Sequence, residues 1–206
     1  QEDLTLQTSG NDDTDVLPSA NLTAQITNTS NLRVGYFASV NRPEFRELAN
    51  VAYLDFDKKR MVFGNSELER AVIQNYDVRA EWFPAPNEVI AASYFYKGLT
   101  DAIEETLRPS SGRYVQSWFN SPTGKNFGYE IELRKNLAFV APSLENLVLQ
   151  GNYTKVDSEV EYTDVYTRED GTAVYETRTR PLQGQAPYTL NLGATYSLPD
   201  IGLSMS

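Results

Sequence analysis

The chain has 206 residues, a formal net charge of −10, and neither histidine nor cysteine. These absences exclude a disulfide framework and a thiol nucleophile, and they remove the commonest general base and transition-metal ligand. An acidic chain without a basic stripe is a poor nucleic-acid binder, and its apolar stretches are too short for a membrane helix, although β-barrel strands escape that test.

In chain order, Gln1–Asp15 is acidic and reads as the end of an exposed loop. Neither a signal peptide nor an initiator Met stands at Gln1, as expected of a processed or excised chain. Period-2 alternation then recurs. Ser19–Ile26 sets Ala20, Leu22, Ala24 and Ile26 on one face. Leu32–Asn41 does the same with Leu32, Val34, Tyr36, Ala38 and Val40. Glu67–Ile73 is the one stretch that reads as a turn or two of helix. Asn75–Trp82 is the cleanest strand, with Tyr76, Val78, Ala80 and Trp82 against Asn75, Asp77, Arg79 and Glu81. Val89–Lys97 follows, apolar in part on both faces. Gly128–Arg134 sets Tyr129, Ile131 and Leu133 against Glu130, Glu132 and Arg134. Leu147–Thr154 and Tyr188–Tyr196 alternate in the same way, and an eighth strand begins near Ile201. Within the last long connection, Val160–Glu169 and Thr172–Arg180 flank Asp170-Gly171, a strong hairpin signal between two charged, water-facing arms.

One apolar and one polar face suits a soluble sandwich as well as a barrel in lipid. The connections discriminate. Asn28–Ser30 is short, Arg42–Val72 long, Pro84–Asn87 short, Gly98–Lys125 long, Val140–Asn146 short, Val156–Gln185 long and Leu198–Asp200 short. This alternation puts every short turn at one end and every long loop at the other, the layout of an outer-membrane barrel. Trp82 beside a short turn and Tyr76 toward a long loop agree with aromatic girdles at both interfaces, as do Tyr196 and Tyr188 on their strand. The expected fold is all-β: an antiparallel up-and-down transmembrane barrel, partial, with seven or eight strands pairing neighbour to neighbour and long extracellular loops.

Several segments add a family likeness. Val40-Asn41-Arg42-Pro43-Glu44-Phe45-Arg46-Glu47-Leu48 resembles the strand end and loop start of TonB-dependent receptors. Gly64-Asn65-Ser66-Glu67-Leu68, Asn75-Tyr76-Asp77, Glu81-Trp82-Phe83-Pro84 and Phe95-Tyr96-Lys97 with Ile103-Glu104 resemble further elements of that family. So do Asn126-Phe127-Gly128-Tyr129-Glu130-Ile131-Glu132 and Leu182-Gln183-Gly184-Gln185-Ala186-Pro187-Tyr188, all in the family's order over about Leu17 to Tyr196. The resemblance implies a wall of a barrel that closes at about 22 strands around a plugged lumen. Residues 1–206 are then expected to be part of one C-terminal barrel domain, with the N-terminal plug, its TonB box and the terminal aromatic strand lying outside this chain.

Candidate site residues are sparse. Glu130 and Glu132, or Asp77, Arg79 and Glu81, share strand faces and could suggest acid–base chemistry; compensating charge in a hydrated lumen explains them more simply. Glu104-Glu105 and Asp55/Asp57 offer oxygen ligands for calcium but lack loop-ligand spacing. No metal or cofactor is expected. Arg42 is expected to pair with loop carboxylates, and Pro43 to end the ladder. Tyr114, Trp118 and Phe119, in a long loop, are the candidates for ligand contact, since loops carry binding more often than scaffolds do.

The expected function is wall and loops of an outer-membrane receptor for TonB-dependent, ligand-gated uptake of a scarce solute, not an enzyme. Its expected partners are outer-membrane lipid, the rest of the barrel, the plug, and a TonB-type energy-coupling protein acting through the plug. A non-transport all-β binding or structural protein, as a soluble sandwich or small barrel, is the alternative.

Overall fold

The computed structural model describes residues 14–110, 113–167, 172–198 and 203–205. Among them, eleven strands form one sheet: β1 (Ser19–Thr27), β2 (Ser30–Asn41), β3 (Ala52–Asp55), β4 (Arg60–Phe63), β5 (Ala71–Trp82), β6 (Val89–Ser110), β7 (Arg113–Asn136), β8 (Leu147–Thr167), β9 (Ala173–Arg180), β10 (Tyr188–Leu198) and β11 (Leu203–Met205). The spine runs β1-β2-β5-β6-β7-β8-β10-β11, antiparallel at every step, and it does not close on itself among the described residues. The expected meander is this spine: Asn75–Trp82 pairs with β6 and Leu147–Thr154 with β7.

Register carries the alternation across strands. One row of directly opposed residues runs Leu32, Ala80, Ala92, Ile131, Tyr153, Leu190; the next runs Val34, Val78, Tyr94, Tyr129. Opposed residues share a face, so the apolar sets of all these strands merge into one surface. That surface is bare: Leu22, Val78, Tyr94, Ile131 and Leu192 are all exposed, Leu192 at 78%. No second sheet covers it among the described residues, as a sandwich would require. A one-residue slip would turn the whole set to the other side, so a one-sided environment fixes the register. Toward the long-loop end Tyr36 and Tyr76 lie with ring centroids 5.1 Å apart, and Tyr76 and Tyr96 6.2 Å apart. Trp82 and Tyr196 hold the opposite end.

Four findings correct the sequence-based expectations. Gly98–Lys125 is not a loop: β6 and β7 continue through it as a tall hairpin, opposed as far as Ser110 and Arg113. Glu67–Ile73 is not helical; Leu68 is buried and Ala71 already opens β5, so packing overrides helix propensity there. The single α-turn, α1 (Phe45–Leu48), falls earlier, where the Glu44 N–H donates to the Glu47 carboxylate at 2.9 Å. One pairing is parallel: β4 adds to β7 through Met61 opposite Val115 and Val62 opposite Gln116. Beyond the Gly124–Val160 pair, toward the hairpin tips, β8 leaves β7 and pairs with β9 alone, and β4 fills the β7 edge so exposed at Val115 and Gln116. The hairpin expected around Asp170-Gly171 does form between β8 and β9, from Val160 opposite Arg180 to Thr167 opposite Ala173; its tip lies outside the described residues.

Candidate functional site

Two regions hold the polar chemistry. The first is the polar face of the spine. Arg33 and Arg79 sit directly opposite each other on β2 and β5, a like-charge pair that would destabilise the sheet. Glu81 resolves it. Its carboxylate accepts from Arg33 Nε and from Arg79 Nε, each at 2.8 Å, and Glu81 is only 8% exposed. Arg79 also donates to Glu132 at 2.6 Å and to Ser93 Oγ at 3.2 Å. The ladder continues through neutral groups: Asn152 donates to Glu130 at 3.3 Å, and Asn191 to Asn152 at 2.7 Å. Together the two sets of bonds span this face from β2 to β10. Gly128 belongs to the same face. A side chain there would put Cβ 2.0 Å from the Lys155 carbonyl oxygen and 2.8 Å from the Phe95 ring, so only glycine lets Phe95 lie across the strand. Arg79, Glu81 and Glu132 thus form one ion-paired network with Arg33, on the face that Asp77 and Glu130 share.

The second region is the layer built by the long connections. Here Val62, Leu68, Ala102 and Val160 are at most 3% exposed, and Glu104, Gln116 and Ser121 are buried with them. The turn after β4 docks on β7: Asn65 Nδ2 donates to the Trp118 carbonyl at 3.1 Å, the Glu69 N–H donates to Asn120 Oδ1 at 2.8 Å, and Asn120 Nδ2 donates back to the Glu69 carbonyl at 2.9 Å. Gly64 is required because a Cβ would fall 2.1 Å from the Ala49 carbonyl oxygen. Arg42 pairs with Asp15, which also meets Arg70 at 2.6 Å, and β2 ends at Asn41, just before Pro43, as expected.

Glu104 and Asp55, weighed as calcium ligands, are engaged otherwise. Glu104 pairs with Arg180 at 2.9 Å and Glu105 with Arg60 at 3.7 Å. Asp55 accepts from the N–H groups of Asp57 and Lys58, both at 3.0 Å, and the Lys58 bond holds its carboxyl below the usual aspartate range. No group of three or more Asp, Glu, His or Cys able to hold a metal occurs among the described residues. Of the three aromatic candidates, Trp118 stands opposite Glu105 and Phe119 opposite Glu104, hence on opposite faces of the hairpin. They do not make one surface. The Tyr114 side chain lies outside the described residues. Arg60, Arg180, Asn65 and Asn120, which organise the layer, were not singled out from sequence; only Asn65 lay in a motif.

The family model of the β-barrel of TonB-dependent-receptor-like proteins matches residues 1–204. The chain belongs to the TonB-dependent receptor family. That family's barrels reside in the Gram-negative outer membrane, and the open antiparallel sheet is a partial barrel of that kind. Solved structures of similar fold include a mutant ferric enterobactin receptor from Pseudomonas aeruginosa in complex with enterobactin (19% identity, TM-score 0.53, 88% of this chain and 33% of that one). The siderophore receptor PirA from the same organism matches at 16% identity and TM-score 0.57, over 88% of this chain and 36% of that one. A double mutant of the Serratia marcescens hemophore receptor HasR, with its hemophore HasA and heme, matches at 13% and 0.57, over 87% and 28%. The chain thus spans about a third of these receptors. No curated protein matches it. Within a TonB-dependent receptor barrel the bare apolar face is the lipid face, the ion-paired face lines the lumen, and the layer of long connections is extracellular.

Proposed function

We propose that these residues are part of the C-terminal barrel of a receptor that captures a scarce solute at the cell surface and admits it through a plugged lumen. A plug encoded in the same polypeptide fills the lumen, and a TonB-type protein of the inner membrane supplies the energy through that plug. The chain contributes wall and extracellular layer, and no covalent chemistry. The observation that carries the reading is the contrast between the faces: apolar, exposed and uncovered on one, ion-paired from Arg33 to Glu132 on the other. A soluble sandwich cannot leave the first face uncovered.

Two measurements on the full-length protein in cells test this. Cysteine at Thr177, on β9, should react with a membrane-impermeant maleimide on intact cells. Cysteine at Asn87, in a short turn, should react only after permeabilisation; the reverse pattern would overturn the orientation. Uptake of a panel of ferric chelates and cobalamin should include at least one substrate lost both on deleting the gene and on collapsing the proton gradient. If deletion changes uptake of no panel member, the transport reading fails.

A further inference from the structure

Adjacent residues of a strand project to opposite faces. Glu104 and Glu105, neighbours on β6, therefore look to the two sides of the β6–β7 hairpin, and an arginine from a different connection meets each. On one side Arg180 of β9 reaches Glu104 at 2.9 Å, donates to the Glu105 carbonyl at 3.2 Å and lies 5.9 Å over the Tyr162 ring. The Gln183 N–H adds a 3.4 Å bond to Glu104, and Ser121 Oγ donates to the Glu161 carbonyl at 2.6 Å. On the other side Arg60 of β4 approaches Glu105 at 3.7 Å, beside the parallel pairing of β4 with β7.

Below this junction the hairpin is weakened. Asp101 has φ +55°, and opposite it stands Pro122, which has no N–H to give; pairing lapses at this one position between Thr100 and Ala102. The upper hairpin is therefore held by its neighbours on either side as well as by the wall beneath it.

We propose that Glu104 and Glu105 form a two-sided clamp through which the β6–β7 hairpin couples the 42–70 connection and the β8–β9 hairpin into one moving unit at the outer mouth. The two sides are unequal. The Glu104 contact is buried and within hydrogen-bond reach, whereas the 3.7 Å approach to Glu105 is not a direct hydrogen bond. The β8–β9 hairpin thus travels with β6–β7 through Glu104, while the 42–70 connection is held to β7 by the β4 pairing and the Asn65 and Asn120 bonds, to which Glu105–Arg60 adds a weaker contact. The clamp does not rest on the uptake reading: a receptor can transport without it, and it can couple these loops in a protein that transports nothing.

Spin labels test the coupling in the full-length protein in detergent micelles. These 206 residues contain no cysteine, and any cysteine elsewhere in the polypeptide is first replaced by serine. Exposed positions Leu54, Leu107 and Thr177 place one label on each of the three parts. Both label pairs, 107–177 and 54–107, should give single narrow distance peaks. Glu104→Gln should abolish the narrow 107–177 peak and spare 54–107; Glu105→Gln should affect only 54–107, and less. A 107–177 peak that survives Glu104→Gln overturns the clamp, as does equal broadening of both pairs by either variant. Should Glu104→Gln not reach the membrane, the exchange of Glu104→Arg with Arg180→Glu decides: a restored narrow peak supports the clamp, and a broad one overturns it.

Discussion

The wall and the extracellular layer are made of the same strands yet are stabilised in opposite ways. In the wall, large apolar side chains are bare on one side and charges are offset on the other; a row such as Ala80, Ala92, Ile131 and Leu190 packs against lipid rather than protein. In the layer, Val62, Leu68, Ala102 and Val160 are each buried by protein rather than left bare, and charged residues are tied loop to loop. The difference teaches that one continuous strand can serve two solvents. β6 obeys lipid from Ile90 to Tyr96 and water above Asp101.

That comparison can be broken or sharpened by substitution. Val78→Arg places a charge on the lipid face and should lower the refolding free energy of the full-length protein by about 2–4 kcal/mol, as for basic residues near a bilayer midplane. The neighbouring Asp77→Arg faces the lumen and should cost much less. Equal costs in a refolding titration into lipid would mean that the two faces are misassigned. Glu81→Gln leaves Arg33 and Arg79 opposed without their shared carboxylate and should cost about 1–3 kcal/mol, the scale of hydrogen bonds to charged groups. Because the loss is Coulombic in part, it should shrink when Arg33→Gln is added, and a double-mutant cycle reads that coupling. Leu68→Ala, in the interior of the layer, should move the barrel's refolding free energy by less than about 0.5 kcal/mol while sharply raising amide exchange in 42–70, since opening there is local. If the whole barrel weakens instead, the layer and the wall are one cooperative unit.

The smallest effect is at Asp55. Its carboxyl is held below the usual range by the Lys58 N–H, so the charged form is favoured in the folded β3–β4 hairpin. The contribution is present above the ordinary aspartate range and is lost as pH falls through the lowered value. Mobility of a label at Phe56 should therefore rise on acidification below about pH 4, and Asp55→Asn should flatten that response.

How much of this was legible in the sequence follows from the same division. Wherever lipid meets one face, alternation is enforced, and Asn75–Trp82, Gly128–Arg134 and Tyr188–Tyr196 could be read directly. Above the bilayer no lipid enforces one apolar face, and the polar Glu104 is buried there beside Ala102, so Thr100–Ser110 carries no period-2 signal although it is strand. The short α1 is too brief for periodicity, and the parallel docking of β4 on β7 joins residues over fifty positions apart, which local pattern cannot encode. Among site residues, Arg42 found a carboxylate as expected because a charged residue at a strand end has few alternatives. Glu104 and Glu105 were visible as a pair of acids, but their arginines come from distant connections. Trp118 and Phe119 read in sequence as loop aromatics; being consecutive on a strand, they are divided between two faces.

The lapse at Asp101 and Pro122 bears on how such receptors diversify. Pairing of β6 with β7 keeps the same register below and above it, from Val89 opposite Arg134 to Ser110 opposite Arg113. Residues added equally to both arms above this point lengthen the hairpin without rephasing the lipid-facing rows beneath. The position is thus a natural seam: selection can remodel, shorten or exchange what stands above it, and the membrane-spanning rungs inherit none of the disturbance.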